Sequence, residues 1–383
     1  MKSELVIAIL FAAVLSGTAA GPKPLAEIKS FSRFEQIDLE VLAEGEVLSY
    51  SKSLMRFPRG ITVQTCYLVQ APPEKVVHGL QDWDPSEHHE ELDVLCLRPL
   101  SIPPKEEDFA KLKINISDSR IKWLVGKTLT TTPGSSSLQL GLPEAAQLAT
   151  LLAGAQDEES PATLNLIRRG WIQILMNRAA RFQEGGMAAL IPYQTTDPII
   201  SPLSEILSLL KESGAIVRRF SPLLDDTPLL GKSPAQPLTP GYYWDILDVE
   251  SHATFTLGAI YAKALENRHQ VVDCEYFVSQ GYFTSMVFYE ILPIEHQGKT
   301  CSLVWRGDFV SAPSLAMTKG IERIAYASIM AKEIKKSIRC FRDYLKTMPA
   351  ASAPAASSPP PSPVPVPPPP APPASQPPAG FPP

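Results

Sequence analysis

A change of hydrophobic period near residue 312 constrains this chain more than any other feature. Upstream, from 241, apolar and polar residues alternate as in a half-buried strand; downstream they recur every three or four residues, as on one face of a helix. In the upstream part Leu247, Val249, Ser251, Ala253, Phe255, Leu257, Ala259 and Tyr261 alternate with polar residues such as Asp248, Glu250, Thr254 and Thr256. This predicts a strand or a strand pair with the odd positions on one face. Three further β-rich runs follow at 269–278, 282–292 and 300–310, joined by Ser279-Gln280-Gly281 and by a connector at 295–299 that contains Gly298. Short glycine-bearing connectors between such runs predict hairpins, hence an antiparallel meander.

Downstream, Ser314 stands behind Pro313 as a candidate N-cap, and Met317, Ile321, Ile324, Ser328, Ala331, Ile334, Ile338, Phe341 and Leu345 fall on one helical stripe. Lys319, Arg323, Lys332, Lys335, Lys336, Arg339 and Arg342 lie mostly elsewhere on the cylinder. The apolar stripe is suited to cover the sheet. The basic face is expected mainly to solvate the helix, with a transient contact to an anionic membrane surface as the weaker alternative, because Glu322, Glu333 and Asp343 dilute its charge.

The N-terminus carries Lys2, an apolar run at 5–15 and then small residues up to Ala20, the layout of a secretory signal peptide cleaved after Ala20. A secreted or periplasmic protein is therefore expected. The apolar run is shorter than the roughly 20 residues a spanning helix needs. Residues 25–42 show a weak helical pattern, and 46–53 and 60–70 read as strands. Directly after the second strand, Ala71-Pro72-Pro73-Glu74-Lys75-Val76 opens a helix, since proline suits a first turn and Glu74 complements the dipole there.

In two places the chain resembles the START-like, helix-grip superfamily of hydrophobic-ligand-binding proteins. One is a strand ending in an Ala-Pro-x-Glu-x-Val-like entry to a helix, at 69–77; the other is a set of antiparallel strands followed by a long C-terminal helix, at 243–345. The resemblance implies an α+β fold: a curved antiparallel sheet gripped by the C-terminal helix, with an apolar cavity between them. The domain is then expected to span 21–346. The chain departs from the usual pattern in the long segment between the two pieces, about 100–240, where 143–154, 161–184 and 202–212 read as helices and 222–240 as a loop. A helical cap inserted between the halves is the expected arrangement. From 347 to 383 the chain becomes Ala, Ser and Pro with no charge after Lys346, which predicts a disordered tail with polyproline II character.

Chemistry-bearing motifs are few. The net charge of -5 argues against nucleic acid as a partner. Gly126-Lys127-Thr128 lacks the glycine a phosphate loop needs five residues earlier, where Ile121 stands, and Ser135, Ser136 and Ser137 follow Gly134 without a nucleophile turn. Glu87-His88-His89-Glu90-Glu91 is the densest metal-capable stretch, but adjacent histidines diverge on a regular element, so a solvated loop is expected and no metal or cofactor. Arg306-Gly307-Asp308 falls inside a predicted strand rather than on a protruding loop, which disfavours cell adhesion. Of the five cysteines, Cys274 and Cys301 are the tempting disulfide pair. A strand between them would hold them about 9 to 10 Å apart, beyond the roughly 7 Å limit for a disulfide, so free thiols are expected.

The expected function is binding of a lipid or other apolar small molecule, without catalysis. The final sheet should supply Phe255, Tyr261, Tyr276, Phe283, Tyr289 and Trp305 to one apolar surface covered by Ile324, Ile334 and Ile338. The polar tips of Tyr276, Tyr289 and Trp305 favour a pocket there over a solid core. The alternatives are a hydrolase or cyclase on the same scaffold, using the His88 and Glu90 region or His252, and an envelope protein acting through its proline-rich tail.

Overall fold

Each strand predicted from alternation is present, and all of them join one sheet. The computed structural model describes residues 23–349 apart from Ser53, Leu54, Glu90 and Gln156, so the expected signal peptide and all but the first residues of the expected tail lie outside the described residues. The chain opens with α1 (Lys23–Phe31) and α2 (Leu39–Ala43), the latter capped by the Asp38 carboxylate, and then forms β1 (Val47–Tyr50) and β2 (Gly60–Val69). Two helices, α3 (Pro73–Asp82) and α4 (Pro85–His88), lead to β3 (Val94–Pro99). Five more follow: α5 (Ser119–Leu129), α6 (Leu142–Leu151), α7 (Pro161–Gly185), α8 (Pro202–Lys211) and α9 (Gly214–Leu224). The meander comprises β4 (Gly241–Val249), β5 (His252–Leu265), β6 (Arg268–Val278), β7 (Thr284–His296) and β8 (Lys299–Ser311). The described part ends in α10 (Pro313–Met317) and α11 (Ile321–Thr347).

The strands form one curved, open, eight-stranded antiparallel sheet in the order β1-β2-β8-β7-β6-β5-β4-β3. The fold is therefore α+β, with a long C-terminal helix and a helical insertion between β3 and β4. The N-terminal strands flank the meander at both ends, so α3 and α4 carry the chain from the β2 side to the β3 edge. Pro73, Pro161 and Pro202 each occupy a first helical turn, with Ser160 and Ser201 capping α7 and α8 through their hydroxyls.

Each face of the sheet has its own helical layer and core. On one face α1 and α5–α9 pack against a large cluster that includes Trp171, Phe182, Phe220, Phe255, Tyr276 and Trp305. Tyr193 joins the layers there: its hydroxyl donates to the Phe283 carbonyl and accepts from the Val278 N–H, both at 3.0 Å. On the other face α3 and α11 cover Val63, Tyr67, Val271, Ile291 and Val304, using Val76, Ile334, Ile338, Phe341 and Leu345. The two helices approach closely because position 79 is glycine; a Cβ there would sit 2.4 Å from Leu345.

Three expectations need correction. The residues from 247 to 261 are a tight hairpin, not one continuous face. Glu250 and Ser251 both take positive φ, as a two-residue primed turn requires, and Val249 pairs with His252. Leu247 and Val249 therefore share a face with Thr254, while Phe255 shares one with Ile246. The last helix is broken at Thr318–Gly320, where Gly320 has φ +52, and Pro313 starts the first piece with Ala312 at its N-cap. Finally, α9 extends past Pro222 into the stretch expected to be loop, the proline lying in its last turn. The five cysteines are free. Cys274 and Cys301 are separated by β7 and also offset along it, opposite Met286 and Ile294.

Candidate functional site

Toward β4, β5 and β6 the sheet face beneath α3 and α11 is not filled. A cleft of about 1320 Å³ remains there, walled by Leu80, Trp83 and Pro85 on one side, Met330 and Ser337 of α11 on another, and Leu97 and Arg98 of β3 at the edge. Its floor is the polar half of the strand alternation. Tyr243 and Asp245 of β4, Asp273 and Glu275 of β6, Ser285 and Tyr289 of β7, and Arg306 and Asp308 of β8 all line it. Register makes them neighbours: Asp245 lies opposite Thr256, Gly258 opposite Glu275, Glu275 opposite Ser285, and Tyr289 opposite Arg306.

The floor is strongly hydrogen-bonded but unevenly neutralised. Arg306 forms a bidentate pair with Asp308, Nε at 3.0 Å from both carboxylate oxygens and Nη2 at 2.6 Å, with its guanidinium 5.4 Å from the centre of the Tyr289 ring. Arg98 at the edge is engaged by Asp84 and, at 2.9 Å, by Glu87. The three remaining carboxyls receive hydroxyl donors and, among the described residues, no cationic one. Thr256 donates to Asp245, Tyr243 to Asp273 at 2.9 Å, and Tyr282 and Ser285 to Glu275 at 2.7 and 2.5 Å. Tyr243 can reach across β5 because the intervening residue is Gly258; a Cβ there would fall 2.0 Å from the tyrosine ring.

Burial without a cation shifts these acids toward their neutral forms. Desolvation, reinforced by the nearby Glu275 charge, raises Asp273 to about 7 and holds Asp245 well above the usual carboxylate range. Glu275 is also raised by desolvation, against the opposing effect of its Ser285 and Tyr282 hydrogen bonds. Asp308 differs in having Arg306, whose charge counteracts the burial that raises it. The arrangement offers an apolar wall, a floor of proton-bearing acids and one group that titrates near neutrality.

Of the six residues expected to line a single surface, only Tyr289 lies in this cleft. Phe255, Tyr261, Tyr276, Phe283 and Trp305 belong to the opposite face, where the insertion helices fill the space against them. Phe255 meets Trp171 at 4.7 Å between ring centroids, Tyr276 stacks on Phe182 at 3.9 Å, and Trp305 packs edge-on to Phe31 at 4.9 Å and donates to Gln64 at 3.3 Å. The one-surface expectation fails because Tyr289 pairs with Val271 and so points to the other face from Tyr276, and because the five residues that do share a surface are covered by the insertion helices rather than by α11. Ile334 and Ile338 cover the cleft's face and not the aromatic surface they were expected to cover, and Ile324 is only half-buried.

Sequence reasoning passed over Asp245, Asp273 and Glu275. The available signal was acids at alternate positions on neighbouring strands. Arg306-Gly307-Asp308 does lie within a strand, but its charged side chains pair with each other on the cleft floor. His88 stacks on Tyr344, His252 packs at a tilt against Trp123, and neither lines the cleft; Glu90 lies outside the described residues. A second cavity of about 940 Å³ lies between α1, β1, β2, α8 and α9. Its single acid, Glu212, is engaged by the backbone N–H groups of Arg56 and Phe57, so it presents no comparable unneutralised group. No protein-family model, no curated protein and no solved structure matches the chain.

Proposed function

We propose that the protein is an exported, non-enzymatic binder of an amphipathic small molecule, held in the cleft between the sheet and the C-terminal helix in the manner of the START-like superfamily. The ligand's apolar body lies against Trp83, Leu97, Leu247 and Met330, and a basic end, an amine or a comparable cation, meets Asp245, Asp273 and Glu275. One observation carries this choice of ligand: among the described residues, none of those three acids is ion-paired, whereas both arginines of the cleft are already engaged by other carboxylates. A bound cation would favour their ionised forms and recover the desolvation cost of the floor. Met317, Ile321 and Ile329, exposed at 84%, 85% and 61%, stand on α10 and the first turns of α11 and would serve a transient membrane contact for ligand exchange.

Native mass spectrometry and calorimetry with dodecylamine and dodecanol test the proposal. The amine should bind and the alcohol bind more weakly, with the amine's affinity rising from pH 5 to 8 as the acids ionise. Equal binding of the two, or loss of amine affinity over that range, would remove the basis for a cationic end. Asp273, titrating near 7 within reach of a ligand, favours acid–base catalysis as a second reading. Turnover of a bound molecule that is abolished in Asp273→Asn, with binding retained, would favour it.

A further inference from the structure

Independently of what the cleft holds, we propose that His89, Glu91 and Cys340 form a three-ligand site for a divalent cation of the zinc class, which fastens the segment after α4 to the C-terminal helix. The sequence presents His89 and Glu91 as part of an acidic loop and gives no hint of the third member. The fold supplies it from 249 positions away, where the Cys340 thiol donates to Glu91 Oε1 at 2.8 Å. One ligand atom from each of the three residues lies within 4.8 Å of the other two.

The donors are prepared for an ion in different ways. Nε2 of His89 is shielded from solvent yet has no hydrogen-bond partner among the described residues. Such a group is costly to bury unless something meets it. The ring is held edge-on by Trp83, with centroids 5.9 Å apart, and the His89 N–H closes α4 on the Pro85 carbonyl at 2.9 Å. Cys340 is buried in α11 beside Phe341, a core residue, so its sulfur has a fixed origin. Glu91 is exposed and leaves a route in from solvent. Asp343, one turn further along α11, adds negative potential, which Lys336 opposes.

Imidazole, thiolate and carboxylate together suit zinc and disfavour magnesium or calcium, which select all-oxygen sites. Tetrahedral zinc with bonds of about 2.0 to 2.3 Å holds its donors about 3.3 to 3.6 Å apart, so loading would part Glu91 Oε1 from the Cys340 sulfur slightly from their 2.8 Å contact and leave all three donors within their present 4.8 Å. The thiol proton leaves to solvent as the Cys340 sulfur binds, and water takes the fourth position. Since Trp83, Asp84, Pro85 and Glu87 form one wall of the cleft and Met330, Glu333 and Ser337 another, the ion would also set the width of the cleft mouth.

Cobalt(II) titrated into the full chain reads the site directly, because a thiolate–cobalt bond gives a near-ultraviolet charge-transfer band. One equivalent should produce the band, zinc should abolish it, and Cys96→Ser, at the one cysteine that is not buried, should leave it intact. Cys340→Ser should lose the band, and His89→Ala, at a half-buried loop position, should keep the fold by circular dichroism and weaken cobalt binding by at least about 100-fold. No band at stoichiometric cobalt, a band that survives Cys340→Ser, or unchanged affinity in a folded His89→Ala variant would each overturn the proposal.

Discussion

Replacing Asp273 by asparagine isolates the electrostatic cost of the cleft floor. In the folded protein desolvation and the Glu275 charge raise this carboxyl to about 7, against an ordinary value of 3.8. Between those two values the folded state retains a proton that the unfolded chain releases. The wild type therefore has the full benefit of this group below about pH 4 and loses it progressively as pH rises to about 7. The difference of about three units, at about 1.4 kcal/mol each, sets a ceiling near 4 kcal/mol. The true figure lies below that, since Asp273 is only half-buried at the base of an open cleft. Asparagine has a similar shape, and its carbonyl can still accept from Tyr243, but it has no proton to lose. Urea unfolding of both proteins from pH 4 to pH 8 should give a stability difference that is small at pH 4, grows in favour of asparagine through pH 7 and then levels off. A difference that is flat across this range, or that moves toward aspartate as pH rises, would refute the assignment of Asp273 as a desolvated acid.

Trp305→Ala, which empties a fully buried site between Phe31 and Phe220, should cost about 3–5 kcal/mol in urea unfolding and leave amine uptake by the folded fraction unchanged. Gly258→Ala places a methyl group in the Tyr243 ring, so it should destabilise by about 1–3 kcal/mol and shift Tyr243 away from Asp273, detectable as altered tyrosine absorbance on alkaline titration. Arg178→Ala leaves the buried Glu144 carboxylate without the guanidinium that holds it at 2.6 and 2.7 Å, and should cost about 3–5 kcal/mol by thermal or urea melts. Adding Glu144→Gln to that variant should restore part of the loss; no recovery would mean that packing, not charge, accounts for the cost.

The architecture was legible wherever one period dominated a long stretch. The meander, the proline-led helices α3, α7 and α8, and the apolar stripe of α11 through Ile334, Ile338, Phe341 and Leu345 follow from period and cap chemistry alone. What escaped was short or context-dependent. β3 is six residues, Val94–Pro99, half-buried at a sheet edge, and acquires its identity only by pairing with β4. The Glu250-Ser251 turn has neither glycine nor asparagine at its positive-φ positions, so the usual hairpin signal is missing and the parity change passes unseen.

The site was less legible than the fold for a related reason. Alternation divides a strand into two sets of residues but does not say which set meets a helix, and here both do. Phe255, Tyr276 and Trp305 belong to the apolar set, and aromatic surface with the polar tips of Tyr276 and Trp305 pointed to a ligand there; they line the face that the insertion helices close. Asp245, Asp273 and Glu275 are the polar set, which on a one-layer sheet would face water. They become a site only because α3 and α11 roof the other face incompletely, and because Gly258 lets Tyr243 lie across β5 to reach Asp273. The same long-range folding brings Cys340 to Glu91. In both places the chemistry resides in pairs of residues that no window of sequence contains, which is why the polar face of this sheet, rather than its aromatic one, is where its function should be sought.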